Sequence, residues 1–450
     1  MTNRYTLAGH DIMDESTLDQ CMVPALRGTR TVEQRGRVVQ AFGTTVRVSG
    51  VHARIGQQCR IVDRDTGTEL IAEVVGLSEG QAILLPLASL QGVAVDAEVE
   101  VLQERSTVPF GTELLGRVID SFGHPIDGRP LPSSLTERAL YADAPSPLQR
   151  QPIQKSFSTG IRAVDALLTV GVGQRIGVFA MAGGGKSTLL GMLAREATAD
   201  VNVIALIGER GREVREFIED SLGEHGLRRS VVVASTSDRP AMERVRAAQA
   251  ATAIAEGFRA QGKRVLLLMD SVTRFARALR EIGLSVGEPA VRRGFPPSVF
   301  AELPRLFERS GNDAAGSITA FYTVLSEDED GSDPVAEEAR SILDGHIVLS
   351  RKLGQAGHYP AIDVLGSASR LFTRVTTREH QDAAAHVRAL LAKHSEIEFL
   401  LQVGEYKEGS DSIADEAIEK LPAIHDLLCQ RPDETATLVE AVERLQDVAQ

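Results

Sequence analysis

A chain of 450 residues exceeds one ordinary domain, and with 43% apolar residues it can fill two or three cores. Its formal charge of −13 excludes a general nucleic-acid binder, whose phosphate contacts need a basic excess. With 25% charged residues set against that apolar share, disorder of the whole chain is excluded as well.

The first thirty residues mix polarity without a clear period and are expected to form an arm or a short docking helix. Arg4, Asp11, Asp14, Glu15 and Asp19 interrupt any signal-type apolar segment there. No later window approaches the roughly 18 apolar residues of a spanning helix, so any membrane contact is expected at the surface or through partners. Cys21, Cys59 and Cys429 are scattered without metal-ligand spacing and read as reduced thiols.

Over 31–105 the texture is β. "GRVVQAFGTTVRVSG", "CRIVDR", "ELIAEVVGL", "QAILLPL" and "VEVL" are short β-branched runs separated by turn residues, which predicts a small barrel or sandwich. Over 106–378 strands alternate with helical stretches, the pattern of an α/β domain with a parallel sheet. "RIGVFA", "VNVIALIG", "RVLLLMD" and "SITAFYTVL" read as buried strands. Ser237-Asp238-Arg239-Pro240 is expected to cap and open a helix running to about Arg259. "SEDEDGSD" (326–333) reads as a solvated acidic loop, and 379–450 as a small Ala/Leu/Glu-rich helical domain.

The chemistry starts at "VFAMAGGGKSTLL" (178–190). Ala180 to Ser187 has the spacing [AG]-x-x-x-x-G-K-[ST] between an apolar strand and a helix, the context of a phosphate-binding loop. Ala182, Gly183, Gly184 and Gly185 let successive N–H groups curl around a polyphosphate, and the helix behind them points its positive end at the same anion. Lys186 is expected at the β- and γ-phosphates, Ser187 on Mg²⁺ and Thr188 near the α-phosphate. "VLLLMD" ends a buried strand in Asp270, expected to reach the Mg²⁺ through a water. Glu209, in "LIGERGREV", is delivered by the next strand to the same edge. It is assigned as general base, or at least as the carboxylate that orients the water, with Arg210 beside it steadying charge. Arg370, at the end of "HYPAIDVLGSASR", is either a structural arginine or an arginine finger.

"GVFAMAGGGKST", "ALIGERGREVREF", "LLLMDSVTRFARA", "RRGFPPSVFAELPRL", "SILDGHIVLSRKL" and "HYPAIDVLGSASR", in that order, resemble the ATPases of type III secretion systems. These are relatives of the flagellar export ATPase and of the catalytic subunit of F-type ATP synthases. The resemblance runs from about Gly36 to beyond residue 420, and "GGGKST" looks closer to the injectisome branch. It implies an N-terminal β-barrel, a RecA-like P-loop core, a helical C-terminal domain, and a homohexamer with Mg²⁺–ATP between subunits. It further implies that Arg274 joins Lys186, Ser187, Glu209, Arg210 and Asp270 on one face. Arg370 would reach the neighbour's phosphate, and Tyr359 would stack on adenine or else pack in the core. Arg292, Arg293 and Phe295 would line a central pore. The implied partners are chaperone–effector complexes, stator-like and stalk-like export proteins and the export gate at the inner membrane, with a cytoplasmic, membrane-peripheral location.

The alternatives are a flagellar export ATPase, an F- or V-type rotary subunit, a non-catalytic ring subunit and an RNA-translocating ring. No acidic coupling motif stands out in the C-terminal domain, Glu209 is present, and aromatic residues are 4% with no Trp, against the last three in turn. Met181 is the departure, since related rotary ATPases often have Gly there. A positive φ at a non-glycine residue costs roughly 1–2 kcal/mol. Either Met181 has an ordinary φ, or Gly184 absorbs the strain.

Overall fold

The structure, a computed structural model, describes residues 6–7, 10–11, 35–102, 106–181, 183–325 and 333–450. Most of the expected N-terminal arm, Ala182 and the acidic loop up to residue 332 lie outside the described residues. The chain divides into two compact units, one drawn from Met1–Pro86 and Leu90–Gln103, the other from Leu87–Ser89 and Glu104–Gln450.

The first unit holds a closed barrel of β1 (Arg35–Phe42), β2 (Thr45–Ser49), β3 (Gln58–Val62), β4 (Glu69–Ser78), β5 (Gln81–Pro86) and β6 (Glu98–Val101), ordered β1-β2-β5-β4-β3-β6. Its strands alternate inward and outward: Val46 and Val48 on β2, and Cys59 and Ile61 on β3, point into one apolar core. Burial pushes the Cys59 thiol up to about 11, so it packs as a small apolar group.

The second unit is built on β7 (Arg117–Ile119), β8 (Arg175–Ala180), β9 (Val201–Glu209), β10 (Ser230–Thr236), β11 (Arg264–Asp270), β12 (Ser317–Leu325), β13 (Gly345–Leu349) and β14 (Ile362–Ser369). They lie in the order β7-β10-β9-β11-β12-β8-β13-β14. Neighbours are parallel from β7 to β13, while β14 runs antiparallel to β13. Helices cover both faces, which is why every residue of β9 is buried and the run is apolar rather than alternating. Around the sheet lie α1 (Lys186–Glu196), α2 (Ala241–Ala260), α3 (Val272–Ser285) and α4 (Pro297–Glu308).

The C-terminal helices α5 (Arg378–Gln402), α6 (Ser412–Leu428) and α7 (Leu438–Ala449) share one apolar cluster with α1 and β8, through Val387, Leu390, Ile424, Leu427 and Leu445. The start of α2 differs from expectation. Pro240 is its N-cap and no side chain caps it. Asp238 instead bonds back to Thr236, an interaction that lowers its carboxyl. Among the described residues no helix is long and apolar enough to cross a membrane.

Candidate active site

The loop after β8 resolves the question raised by Met181. Among the described residues the only non-glycines with positive φ are Glu79, Asp96 and Arg293, so Met181 has an ordinary φ. The left-handed positions are Gly183 (φ 80°) and Gly185 (φ 81°). Gly184 does not share that strain and serves close approach instead. Its N–H donates to Met181 O at 3.1 Å, and a Cβ there would stand 3.2 Å from that oxygen. Gly185 is the N-cap of α1 and offers no side-chain cap to the first-turn N–H groups. Ser187 and Thr188 are exposed on that turn.

Parallel strands bring three charges to this edge. Lys186 Nζ lies 2.6 Å from Asp270 Oδ1 and 3.7 Å from Glu209 Oε1. Glu209 is aimed by a local irregularity: Ile207 pairs with Ser235 and Glu209 with Thr236, leaving Gly208 (φ 67°) as an extra residue. A Cβ at Gly208 would sit 3.1 Å from Arg274 Cβ, so glycine also admits the Arg274 stem. Glu209 Oε1 is buried without a hydrogen-bond partner, and so is Arg274 Nε. Burial first, and the nearby Asp270 charge second, push the Glu209 carboxyl up to about 7, against the opposing pull of Lys186. Such a group can hold or release a proton near neutrality.

The structure therefore gathers Lys186, Glu209, Asp270 and Arg274, with Ser187 and Thr188 at the mouth. Arg210 is not gathered. Its side chain is 72% exposed and pairs with Glu213 at 3.1 Å. Tyr359 stands beside the loop, its Cε1 4.0 Å from where a Gly185 Cβ would be, with half its surface exposed. It is therefore not a core residue. Phe295, expected in a pore, is buried. Its ring meets Phe300 edge-on and lies 5.3 Å beneath the Arg280 guanidinium. Apolar burial takes the ring inward, while Arg292 stays half-exposed on Glu337 at 2.6 Å.

Arg370 lies at the far edge of the sheet. Because β14 is antiparallel, Ser369 pairs with Gly345, the first residue of β13, whereas the loop follows the last residue of β8. Roughly 15 Å of strand separates the two levels. The Arg370 guanidinium donates to Arg340 O at 3.0 Å and Ser341 O at 3.5 Å. Sequence reading passed over Thr323, whose hydroxyl lies 2.8 Å from Asp270 Oδ1. The signal for it is the register, since Met269 pairs with Tyr322 and so sets Thr323 opposite Asp270.

Comparison with known proteins agrees with this architecture. The family described as ATP synthase alpha/beta, nucleotide-binding domain, matches residues 160–369. That family's β-barrel domain matches 38–103, and the T3SS EscN ATPase C-terminal domain matches 376–447. The chain is 53% identical over 434 residues to a type 3 secretion system ATPase of Xanthomonas euvesicatoria, covering 96% of this chain and 97% of that one. It is 47% identical over 427 residues to a flagellum-specific ATP synthase of Bacillus subtilis, covering 95% and 98%. Among solved structures it is similar to the assembled ATPase EscN of the enteropathogenic E. coli type III secretion system. The TM-score is 0.88 and the identity 46%, with 92% of this chain and all of that chain covered. EscN has also been solved with its central stalk EscO, with a TM-score of 0.85 to this chain at the same identity and coverage.

Proposed function

The chain belongs to the type 3 secretion system ATPases of the ATP synthase alpha/beta family and is an ATP-hydrolysing enzyme, and on that premise we propose a homohexameric ring with Mg²⁺–ATP between protomers. Hydrolysis in this ring powers chaperone release, unfolding and export of effector proteins. Stalk-like and stator-like proteins and an inner-membrane gate are its partners, and the enzyme works at the cytoplasmic side of that membrane. Segments 31–105, 106–378 and 379–450 are respectively the β-barrel domain, the RecA-like ATPase domain and the helical domain that receives chaperone–effector complexes.

In this reading the amides of 182–185 and the first turn of α1 bind the phosphates. Lys186 neutralises charge at the β- and γ-phosphates. The groups available to the metal suit Mg²⁺: the exposed Ser187 hydroxyl as a donor and one hard carboxylate, Asp270, acting through a water. Among the described residues no group of three His, Cys, Asp or Glu side chains converges, so the nucleotide's own oxygens would complete the shell. When bound, the ion screens the phosphate charge and fixes its orientation. Glu209 orients water and takes its proton, and Arg274 balances the carboxylates. Tyr359 stacks on the base, and Arg210, exposed in one protomer, serves the assembled interface.

The observation that carries this reading is Glu209: a buried carboxylate raised to about 7, whose Oε1 makes no hydrogen bond and lies 3.7 Å from the Lys186 ammonium. Arg370 sits too far along the sheet to reach its own protomer's phosphates, which supports a role at the neighbour's. Mixing Lys186→Ala with Arg370→Ala subunits tests this. Each variant alone is expected to be inactive and mixed rings partly active. Mixtures as inactive as the parents overturn the trans assignment.

A further inference from the structure

We infer that Thr323 is a positioning residue that holds the Asp270 carboxylate in the orientation the divalent metal requires. The inference rests on the metal role of Asp270 proposed above. Thr323 is fully buried near the end of β12, and a buried hydroxyl without a partner would be costly. Its Oγ1 lies 2.8 Å from Asp270 Oδ1 and 3.2 Å from Met269 O. With one proton to give, the hydroxyl donates to the shorter contact, the carboxylate oxygen.

Two features make this more than fold stabilisation. The end of β12 is pinned independently of Thr323. Leu325 N donates to Thr273 Oγ1 at 2.8 Å, on the first turn of the helix that follows Asp270. The strand end therefore does not need the Thr323 hydroxyl to stay in register. Asp270 Oδ1 also receives Lys186 Nζ at 2.6 Å, and a bound polyphosphate competes for that ammonium. Thr323 is neutral, buried and without a phosphate to turn to. As Lys186 engages nucleotide, Thr323 keeps its grip on Oδ1 and holds the carboxylate in one orientation. Partners that orient a metal-binding carboxylate in this way are typically worth about 10- to 100-fold in metal affinity.

The test measures ADP affinity by calorimetry with and without Mg²⁺, together with the Tm of the nucleotide-free protein, for Thr323→Val, Thr323→Ser and Asp270→Asn. Valine keeps the volume and removes the hydroxyl; serine keeps the hydroxyl. The expected result for Thr323→Val is an unchanged Mg²⁺-free ADP affinity, with about a tenfold higher Mg²⁺ concentration needed for tight binding. Thr323→Ser is expected within about threefold of the parent, since it retains the donor. An unchanged Mg²⁺ dependence in Thr323→Val overturns the inference. So does a Mg²⁺-free affinity that falls equally, or a serine variant as impaired as valine. If Asp270→Asn shifts the Mg²⁺ dependence and Thr323→Val does not, the inference alone fails; if Asp270→Asn leaves it unchanged, the metal assignment of Asp270 fails with it.

Discussion

The two edges of the central sheet treat buried charge in opposite ways. At the amino edge the buried arginines Arg309, Arg175 and Arg259 each have a carboxylate within 3.0 Å, so that Arg175 Nη1 and Arg259 Nε, which make no well-aligned hydrogen bond, still face an opposite charge. Arg309 forms a two-pronged pair with Glu256 at 2.9 and 2.8 Å, Arg175 meets Asp344 at 3.0 Å and Glu308 at 2.6 Å, and Arg259 meets Asp313 at 2.8 Å. At the carboxyl edge Lys186 is shared unequally between two carboxylates, Glu209 Oε1 has no hydrogen-bond partner, and neither has Arg274 Nε. Closed ion pairs leave nothing for a ligand, and their cost of burial is met within the fold. Open ones hold unspent electrostatic energy that a charged ligand can use. One sheet thus serves as scaffold at one end and as machine at the other.

The comparison breaks first at Glu209. Glu209→Gln is expected to lower phosphate release by about 10²–10⁴-fold with nucleotide binding kept, because an amide cannot take a proton. Retention of more than a tenth of the activity would remove this edge's claim to the chemistry. The opposite edge is expected to respond in stability rather than rate. Glu256→Ala strands the Arg309 guanidinium and should destabilise by about 3–5 kcal/mol in thermal or denaturant unfolding, with unchanged activity per folded molecule.

Dependence on pH sharpens the contrast. The Glu209 carboxyl is raised from 4.5 to about 7, and its deprotonated form is the base. In the free enzyme kcat/KM for Mg²⁺–ATP is therefore expected to be full above about pH 7 and to fall about tenfold per unit below it. Stability runs the other way. A raised carboxyl stabilises below its unfolded value and loses that contribution as pH rises towards 7. At pH 8 Glu209→Gln should therefore have a higher Tm than the parent although it is inactive. A flat rate profile or a lower Tm would show that Glu209 is paired like its counterparts across the sheet.

The smallest effect is expected at Met181. Its φ is ordinary, so glycine relieves no strain, and Met181→Gly should keep ATPase activity within about tenfold, near 1.4 kcal/mol. A larger loss in a steady-state assay would mean that the thioether itself supports the loop.

What the sequence by itself determined is what depends on contiguous residues. The glycine-rich turn, the Lys-Ser-Thr that opens α1, and the strand ends at Asp270 and Glu209 are legible because backbone permissiveness, helix direction and strand burial are each set within about ten residues. The barrel follows likewise from alternation along single strands. Contacts between distant segments were decided only by the tertiary structure. Phe295 went inward because an apolar ring found Phe300 and Arg280. Thr323 met Asp270 through the register of two strands some fifty residues apart in the chain. The location of Arg370 turns on one antiparallel strand, β14, which carries it to the far edge of the sheet. Pairing, burial and strand direction are properties of neighbours in space, and a linear pattern carries them only where those neighbours are also neighbours in sequence.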